Sequence, residues 1–372
     1  MNEAVIEFDE KRERLARLCH EASLAGVILA TQASFAWLTG GRTNRIDGSR
    51  ELGAGSLLVA ADGHLYVLAN AIEMPRLAGE ELADFTFTPV EYPWVDDHAA
   101  PDTLVRLSRQ VLGADARVGA DWPLGGATVV DVGGVRAPLT PGELDRYRQL
   151  GRDVAQAFEH TCRALEPGLA EQEIARRVSD AAASVGARAI VGLVAADERL
   201  PRFRHPVPTT IAWRRTVLVA QVAQRHGLSV SISRIINAGP IDAELSHRTR
   251  AACGVFGALL EATAPGATAA ELFGAAIAAY ARAGFPGEER KHHQGGAIGY
   301  RSREWVAHPS SKECVRTPQA FAWNPSITGT KVEDTALVTE DGVELITSTG
   351  EWPFVPITVH GRSLAAADVL KI

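Results

Sequence analysis

Three short segments of this 372-residue sequence carry side chains suited to acid–base chemistry. His205 stands on a proline-containing loop before a predicted strand, where an imidazole with a pKa near neutrality could transfer protons. His292 and His293 are followed by glycines, which allow a ligand or another backbone to approach closely. The third segment places Asn324 and Glu333 at the ends of apolar runs. Each segment alone is weak evidence, because a lone histidine is more often structural and a carboxylate there is more often a surface charge.

An internal repeat supplies a framework that could position these segments. Apolar residues recur every three or four positions over residues 144–165, which predicts a long helix that ends at Pro167-Gly168 before a second helix. The same helix, Pro-Gly break and helix return 98 residues later, at Pro265-Gly266. We therefore predict a domain built from two related halves.

Each half also contains a predicted β-hairpin. In the first half, residues 217–222 pair with residues 228–232. In the second half, an Asp-Gly turn joins residues 336–339 to residues 343–346.

The amino-terminal part of the sequence indicates a separate α/β domain. Helical spacing of apolar residues is followed by a short apolar run at residues 27–30, and two further runs flank an Asp-Gly pair at residues 62–63. Glycines and prolines over residues 125–142 indicate a linker. We predict domains at residues 1–135 and 136–372.

Composition and charge exclude several classes of protein. The net charge is −7 and the basic residues are dispersed, which argues against nucleic acid as a partner. No apolar stretch is long enough for a membrane helix, and the charged amino-terminal residues do not suit a signal peptide. We therefore expect a cytoplasmic protein that binds no membrane. The four cysteines form no CxxC pair, which favours reduced thiols.

Taken together and in this order, the segments resemble the creatinase, prolidase and aminopeptidase P family, which has the pita-bread fold. Residues 35–41 are similar to a signature of that family's amino-terminal domain, and His205 matches its first catalytic histidine. Residues 293–299 match its histidine–glycine loop, and Asn324 and Glu333 match its two glutamate positions. The resemblance implies an α/β (α+β) protein, with a creatinase-like amino-terminal domain and a pita-bread domain of two pseudo-symmetric halves.

The metal ligands of that family are mostly absent from this sequence. Metal-dependent members bind two divalent ions through two aspartates, one histidine and two glutamates. The resemblance places Ala220 and Ser231 at the aspartate positions, Gly296 at the histidine position and Asn324 at the first glutamate position, so that Glu333 alone is retained. One carboxylate among neutral neighbours cannot replace the hydration of two ions, so we expect no metal and no other cofactor.

Creatinase hydrolyses a C–N bond without metal, and the resemblance to it implies the same class of reaction here. His205 would be the general acid and base, and Glu333 would orient the substrate. His293 and Asn324 would form hydrogen bonds with the substrate or with water. The substrate would be small and would carry a carboxylate. Neutral residues replace the family's acidic ligands among several arginines, and this makes the expected electrostatic potential of the pocket positive.

Other residues of the same segments are candidates for substrate contacts. They are His292, Arg204, Arg234, Arg303 and Glu304. The resemblance also implies a homodimer, in which Arg42 and Arg45 of one subunit lie at the rim of the other subunit's site.

Two alternative functions remain open from the sequence. The first is a metal-dependent Xaa-Pro aminopeptidase or dipeptidase, which metal analysis and chelation would distinguish. The second is a non-catalytic pita-bread binding protein, against which the retention of His205 counts weakly.

Overall fold

The computed structural model describes residues 3–372. Two compact units divide the chain, unit 1 over Met1–Ala137 and unit 2 over Pro138–Ile372. The boundary expected from the sequence lies two residues earlier, after residue 135. Across residues 3–372, no helix has the length and the apolar run that a bilayer crossing requires.

Unit 1 combines a mixed sheet with helices. Its strands are β1 (Gly26–Thr31), β2 (Leu52–Ala60), β3 (Leu65–Asn70), β4 (Thr88–Tyr92), β5 (Val118–Ala120) and β6 (Thr128–Val129). Its helices are α1 (Glu3–Glu21), α2 (Gln32–Leu38), α3 (Met74–Arg76), α4 (Asp96–Ala99), α5 (Thr103–Leu112) and α6 (Val132–Arg136), with a π-helical turn at Leu77–Glu81. The strand order is β4-β3-β2-β1-β5-β6.

The pattern of apolar runs predicted the centre of this sheet. Every residue of β1 is buried, because β1 lies between β2 and β5 in the interior of the sheet. β2 and β3 form the expected hairpin, in which Gly63 adopts a φ of 86° that favours glycine.

Unit 2 contains the two related halves. Its helices are α7 (Pro141–Arg163), α8 (Glu171–Ser184), α9 (Ala243–Ala262) and α10 (Ala269–Arg282), with 3₁₀ turns at Asp197–Arg199 and Glu288–Arg290. Its first strands are β7 (Arg188–Ala196), β8 (Thr216–Arg225), β9 (Leu228–Asn237), β10 (Gly295–Ile298), β11 (Gln319–Trp323) and β12 (Ser326–Ile327). The later strands are β13 (Thr330–Lys331), β14 (Asp334–Thr339), β15 (Gly342–Leu345), β16 (Phe354–Val359), β17 (Arg362–Ala367) and β18 (Val369–Lys371).

Each half is a helix pair with a sheet that contains an antiparallel hairpin, as the internal repeat predicted, and β18 adds to the first sheet in parallel to β9. The first half contains α7, α8 and a sheet of order β18-β9-β8-β7. The second contains α9, α10 and a sheet of order β10-β11-β14-β15. Gly168 and Gly266 turn the chain between the helices of each pair with φ values of 102° and 83°.

The two sheets of unit 2 meet where β9 runs beside the segment that enters β14. The Ser233 amide donates to the Glu333 carbonyl over 3.1 Å, and the Ser231 amide donates to the Thr335 hydroxyl over 2.8 Å. The junction therefore places the start of β14 against the middle of β9.

The region predicted as a linker is more ordered than its glycines and prolines suggested. It contains α6, and Pro141 is the first residue of α7. Thr140 caps α7 in a capping box with Glu143, and proline suits the first helical position, where its missing N–H costs nothing. The Pro-Gly pair at 141–142 therefore begins a helix.

Candidate functional site

A cavity of about 340 Å³ lies within unit 2, beside the junction of the two sheets. Its apolar wall is formed by Val191 and Leu193 of β7 and Val222 of β8. Its polar lining includes five residues predicted from the sequence, which are His205, His293, Arg303, Asn324 and Glu333. Three further polar residues, Lys331, Gln221 and Ser302, were not predicted.

Glu333 is the only carboxylate in the described lining of this cavity, and it is buried. It accepts hydrogen bonds from Lys331 Nζ over 2.8 Å, from Arg303 Nη2 over 3.3 Å and from the Ser233 hydroxyl. Burial alone would raise the pKa of Glu333, but the two cations and these hydrogen bonds outweigh it and lower that pKa to about 2. Glu333 is therefore ionised at neutral pH.

Lys331 is the charged residue of the cavity lining that the sequence motifs did not identify. Its side chain is 6% exposed and its ammonium contacts Glu333. The signal was present in the sequence, because residues two apart in extended backbone point to the same face. Lys331 ends β13, so it shares a face with Glu333.

His205 lies on the loop between the 3₁₀ turn Asp197–Arg199 and β8, and its side chain is exposed. The loop is fixed to β7, since the Val194 amide donates to the Pro206 carbonyl over 3.1 Å. Partial burial lowers the pKa of His205, and Lys331 and Arg303 lower it further, while Glu333 opposes them. His205 is consequently neutral at pH 7 and available as a proton acceptor.

The two adjacent histidines have different positions. His293 lines the cavity and its Nδ1 accepts a hydrogen bond from the Gly295 amide over 3.2 Å. Burial, Arg303 and His205 lower its pKa to about 4. His292 is buried behind His205, with their Nε2 atoms 3.1 Å apart, and is absent from the cavity lining. The predicted direct contact of His292 with substrate is therefore corrected to an indirect position.

Two of the predicted arginines also lie outside the cavity lining. Arg234 is fully buried and pairs with Glu159 over 2.7 Å and with both carboxylate oxygens of Asp334 over 3.0 and 3.2 Å. Arg204 pairs with Glu288. A buried guanidinium needs such partners to offset its desolvation. The carboxylates that pair with these arginines are too distant along the chain for the ion pairs to be recognised from the sequence.

Glu304 is likewise structural. Its Oε1 accepts hydrogen bonds from the amides of Tyr300 and Arg301 over 3.0 and 3.3 Å. It therefore stabilises the turn after β10 and is not part of the described cavity lining.

Arg42 and Arg45 belong to unit 1. Arg42 is exposed and donates to Asp84 over 3.0 Å. Their predicted place at the rim of a second subunit's cavity concerns an assembly, and it stays a prediction.

Asn324 offers an acceptor that no described protein group satisfies. Its side chain is 2% exposed, it lines the cavity, and its Oδ1 has no hydrogen-bond partner within the described chain. The Asn324 amide donates to the Gln294 carbonyl over 2.9 Å, so its backbone is fixed. A buried unpaired acceptor costs free energy that a bound donor would recover.

The residues at the family's ligand positions do not fit two metal ions. A Cβ at Gly296 would lie 2.2 Å from the Trp305 carbonyl oxygen, so this backbone leaves no room for a side chain. The Ser231 hydroxyl accepts a hydrogen bond from Arg303 Nη1 over 3.1 Å, and Ala220 has no donor atom. The remaining carboxylate is shared by two cations, which leaves no adequate ligand set.

Among the side chains that the structure describes, the three imidazoles are the one group of three or more His, Cys, Asp or Glu residues whose ligand atoms are close enough to consider for a metal. The candidate atoms of His205, His292 and His293 lie within 4.8 Å of one another. However, the Gly295 amide donates to His293 Nδ1, so neutral His293 carries its proton on Nε2. Lys331 and Arg303 would also repel a divalent cation. This cluster is therefore a poor metal site.

Comparisons with known proteins agree with the architecture. The sequence profile of metallopeptidase family M24 matches residues 145–340, more than half of the chain. No curated relative matches the sequence. The dipeptidase PepE of Mycobacterium ulcerans is 19% identical, with a TM-score of 0.78 and 99% of both chains covered.

Two other solved structures are similar to this chain over most of its length. An Xaa-Pro dipeptidase of Bacillus anthracis is 18% identical, with a TM-score of 0.74, covering 98% of this chain and all of its own. A prolidase of Pyrococcus furiosus is 20% identical, with a TM-score of 0.73, covering 90% of this chain and 99% of its own. At such identities these matches establish the fold, and the predicted α/β architecture with a pita-bread domain is confirmed.

Proposed function

Because this chain belongs to metallopeptidase family M24 but surrounds Glu333 with a lysine and an arginine, we propose that it is a metal-independent hydrolase. It would cleave a C–N bond in a small substrate that carries a carboxylate. The observation that supports this proposal most strongly is the cluster of Lys331, Arg303 and Glu333. The cluster satisfies the carboxylate with protein cations and leaves no ligand set for metals.

The same cluster favours a carboxylate on the substrate. Two cations, Lys331 and Arg303, face one anion, Glu333, so the charges of the three groups sum to one positive charge. The nearby imidazoles of His205 and His293 are neutral and do not offset it. Positive charge in a partly enclosed cavity binds carboxylates through charge-assisted hydrogen bonds.

His205 would supply the proton transfers. It takes one proton from a water molecule as the water oxygen attacks the carbon of the C–N bond. As that bond breaks, His205 gives the proton to the departing nitrogen and returns to its neutral form. Asn324 Oδ1 would accept an N–H of the substrate, which pairs the orphaned acceptor and orients the reacting group.

A metal-dependent Xaa-Pro dipeptidase is the second candidate. The comparisons fit it at least as well, since the matching family is a metallopeptidase family and the similar structures are those of a dipeptidase, an Xaa-Pro dipeptidase and a prolidase. Binding without turnover is the third candidate. All three would use the same cavity, so an assay with controlled metal content separates them.

The test uses protein dialysed against a chelator and assayed for amine release. The panel contains N-acyl amino acids, lactam carboxylates, Xaa-Pro dipeptides and the methyl ester of each acid. We expect metal-free turnover of at least one acid, and its methyl ester should react about tenfold more slowly or worse, since a charge-assisted hydrogen bond contributes about 1.5–3 kcal/mol. Turnover that appears only after Mn²⁺ or Co²⁺ is added would support the dipeptidase, and tight binding without turnover would support the binding protein.

The pH dependence of the rate should follow the charges around His205. Lys331 and Arg303 lower the pKa of His205, so the rate should decline only below about pH 6.5, the ordinary histidine value, as the imidazole protonates. Lys331→Met removes a positive charge, which raises the pKa of His205 and should move this decline to higher pH. A pH–rate profile of both proteins measures the shift. An unchanged midpoint in Lys331→Met would contradict the electrostatic assignment.

Homodimer formation is also part of the proposal. It follows from the family resemblance, with Arg42 and Arg45 near the partner's cavity. Light scattering of the purified protein should give the mass of two chains. The mass of one chain would contradict the homodimer. The cytoplasmic location expected from the sequence is likewise a proposal.

A further inference from the structure

A line of hydrogen bonds leads from the cavity into the protein behind His205. His205 Nε2 lies 3.1 Å from His292 Nε2, and His292 Nδ1 lies 3.0 Å from the Ser326 hydroxyl oxygen. Arg204 Nη1 donates to that same oxygen over 2.9 Å, and Arg204 is paired with Glu288. His292 and Arg204 were predicted to contact the substrate. They are instead linked to the proposed catalytic imidazole, His292 directly and Arg204 through Ser326.

We propose that His292 is the positioning residue of His205, accepting its Nε2–H so that His205 presents an unprotonated Nδ1 to the substrate. This inference rests on the proposed function of His205. It assigns His292 the role of orienting His205, without any contact between His292 and the substrate.

The cations of the cavity set the direction of this line of hydrogen bonds. A guanidinium only donates, so Arg204 occupies one lone pair of Ser326 Oγ, and the other lone pair can accept His292 Nδ1–H in the direction that those cations favour. His292 then has a bare Nε2 that can accept from His205. At the other end, Lys331 and Arg303 act on His205 from the cavity, and these cations favour a lone pair over an N–H at its remaining nitrogen.

His292 is suited to this role because it stays neutral. It is 8% exposed, and burial with the nearby Lys331 keeps its pKa well below the ordinary histidine value. A neutral imidazole retains the lone pair that accepts the His205 proton. The same hydrogen bond is strengthened when His205 becomes an imidazolium, as it does after taking a proton from water.

The proton count through the reaction is simple. His205 begins with its proton on Nε2, gains a second proton on Nδ1 from water and loses that Nδ1 proton to the departing nitrogen. The Nε2 proton remains in the hydrogen bond to His292 throughout. His292 therefore fixes the tautomer and the ring orientation and holds its own proton on Nδ1, toward Ser326.

The test is ¹⁵N NMR of the histidine-labelled protein, with His205 signals identified by their loss in His205→Gln. At a pH where His205 is neutral, we expect protonated Nε2 and bare Nδ1. His292→Phe keeps a ring but offers no acceptor, so the tautomer preference should be lost. His292→Gln restores an amide that can accept a hydrogen bond and should recover part of the preference.

Kinetics provide the second readout. His292→Phe should lower kcat by about 10–100-fold, the effect seen when a metal-bound histidine loses its orienting partner, with KM nearly unchanged, and His292→Gln should lose less. If His292→Phe does not fold, Ser326→Ala, which removes the partner of His292 Nδ1, should weaken the same preference. Protonated Nδ1 in the wild type, or a tautomer unaffected by these changes, would overturn the proposal. The NMR result needs no substrate, so failure to find any hydrolysis would reject the proposed function separately.

Discussion

Replacing His205 with alanine should reduce turnover by about 10²–10⁴-fold while the protein remains folded. The rate falls because the substitution removes the imidazole that we assign to both proton transfers. Stability should change little, since His205 is exposed and its truncation creates no core cavity of the kind that costs roughly 2–5 kcal/mol. Steady-state rates and thermal unfolding of the same preparations measure the two effects.

His160→Ala is a matched control for this experiment. His160 is also exposed, but it lies in the last turn of α7 and outside the described cavity lining. Its rate and stability should stay close to those of the wild type. Near-normal turnover by a folded His205→Ala protein would eliminate the acid–base assignment of His205. It would favour the binding protein over the creatinase-like hydrolase.

Replacing Glu333 with glutamine should destabilise the fold by about 3–5 kcal/mol. The substitution retains the shape but leaves Lys331 and Arg303 as buried cations without their carboxylate; their side chains are only 6% and 16% exposed. Urea unfolding measures the change. Glu198→Gln breaks an exposed ion pair with Arg214 and should cost no more than about 1 kcal/mol, which makes it the matched control.

A double-mutant cycle identifies the source of this effect. Lys331→Met combined with Glu333→Gln removes one buried cation together with the anion, so the pair should cost less than the sum of the two single changes. Strict additivity, or Glu333→Gln unfolding at the same urea concentration as the wild type, would show that the cation–carboxylate cluster does not hold the site together.

Local sequence patterns predicted most of the fold because they reflect local physics. The spacing of apolar residues in α7, the Pro-Gly breaks and the Asp-Gly turn each determine structure within a few residues. The linker was misjudged where Pro141 occupies a helix start, a position that also suits proline. Proline alone could not distinguish a helix start from a break.

The candidate site was predicted only where a motif pointed to it. His205, His293 and Glu333 were found through the family resemblance, and Arg303 through its place in the same motif. Lys331 was missed although its two-residue spacing from Glu333 places it on the same face, because that spacing alone does not distinguish a buried lysine from a surface one. Whether Arg234 faces substrate or Glu159 depends on a pairing across 75 positions, which a single sequence does not reveal.

The central claim is that protein cations, and not metal ions, neutralise Glu333. Equilibrium dialysis against excess Mn²⁺, Co²⁺ or Zn²⁺, followed by removal of free metal and elemental analysis, tests it most directly. Since the cavity offers no adequate ligand set, we predict less than about one tenth of an equivalent of metal per chain. Stoichiometric metal that is retained by the wild type and lost in Glu333→Gln would contradict the claim and establish a metal centre at this cavity.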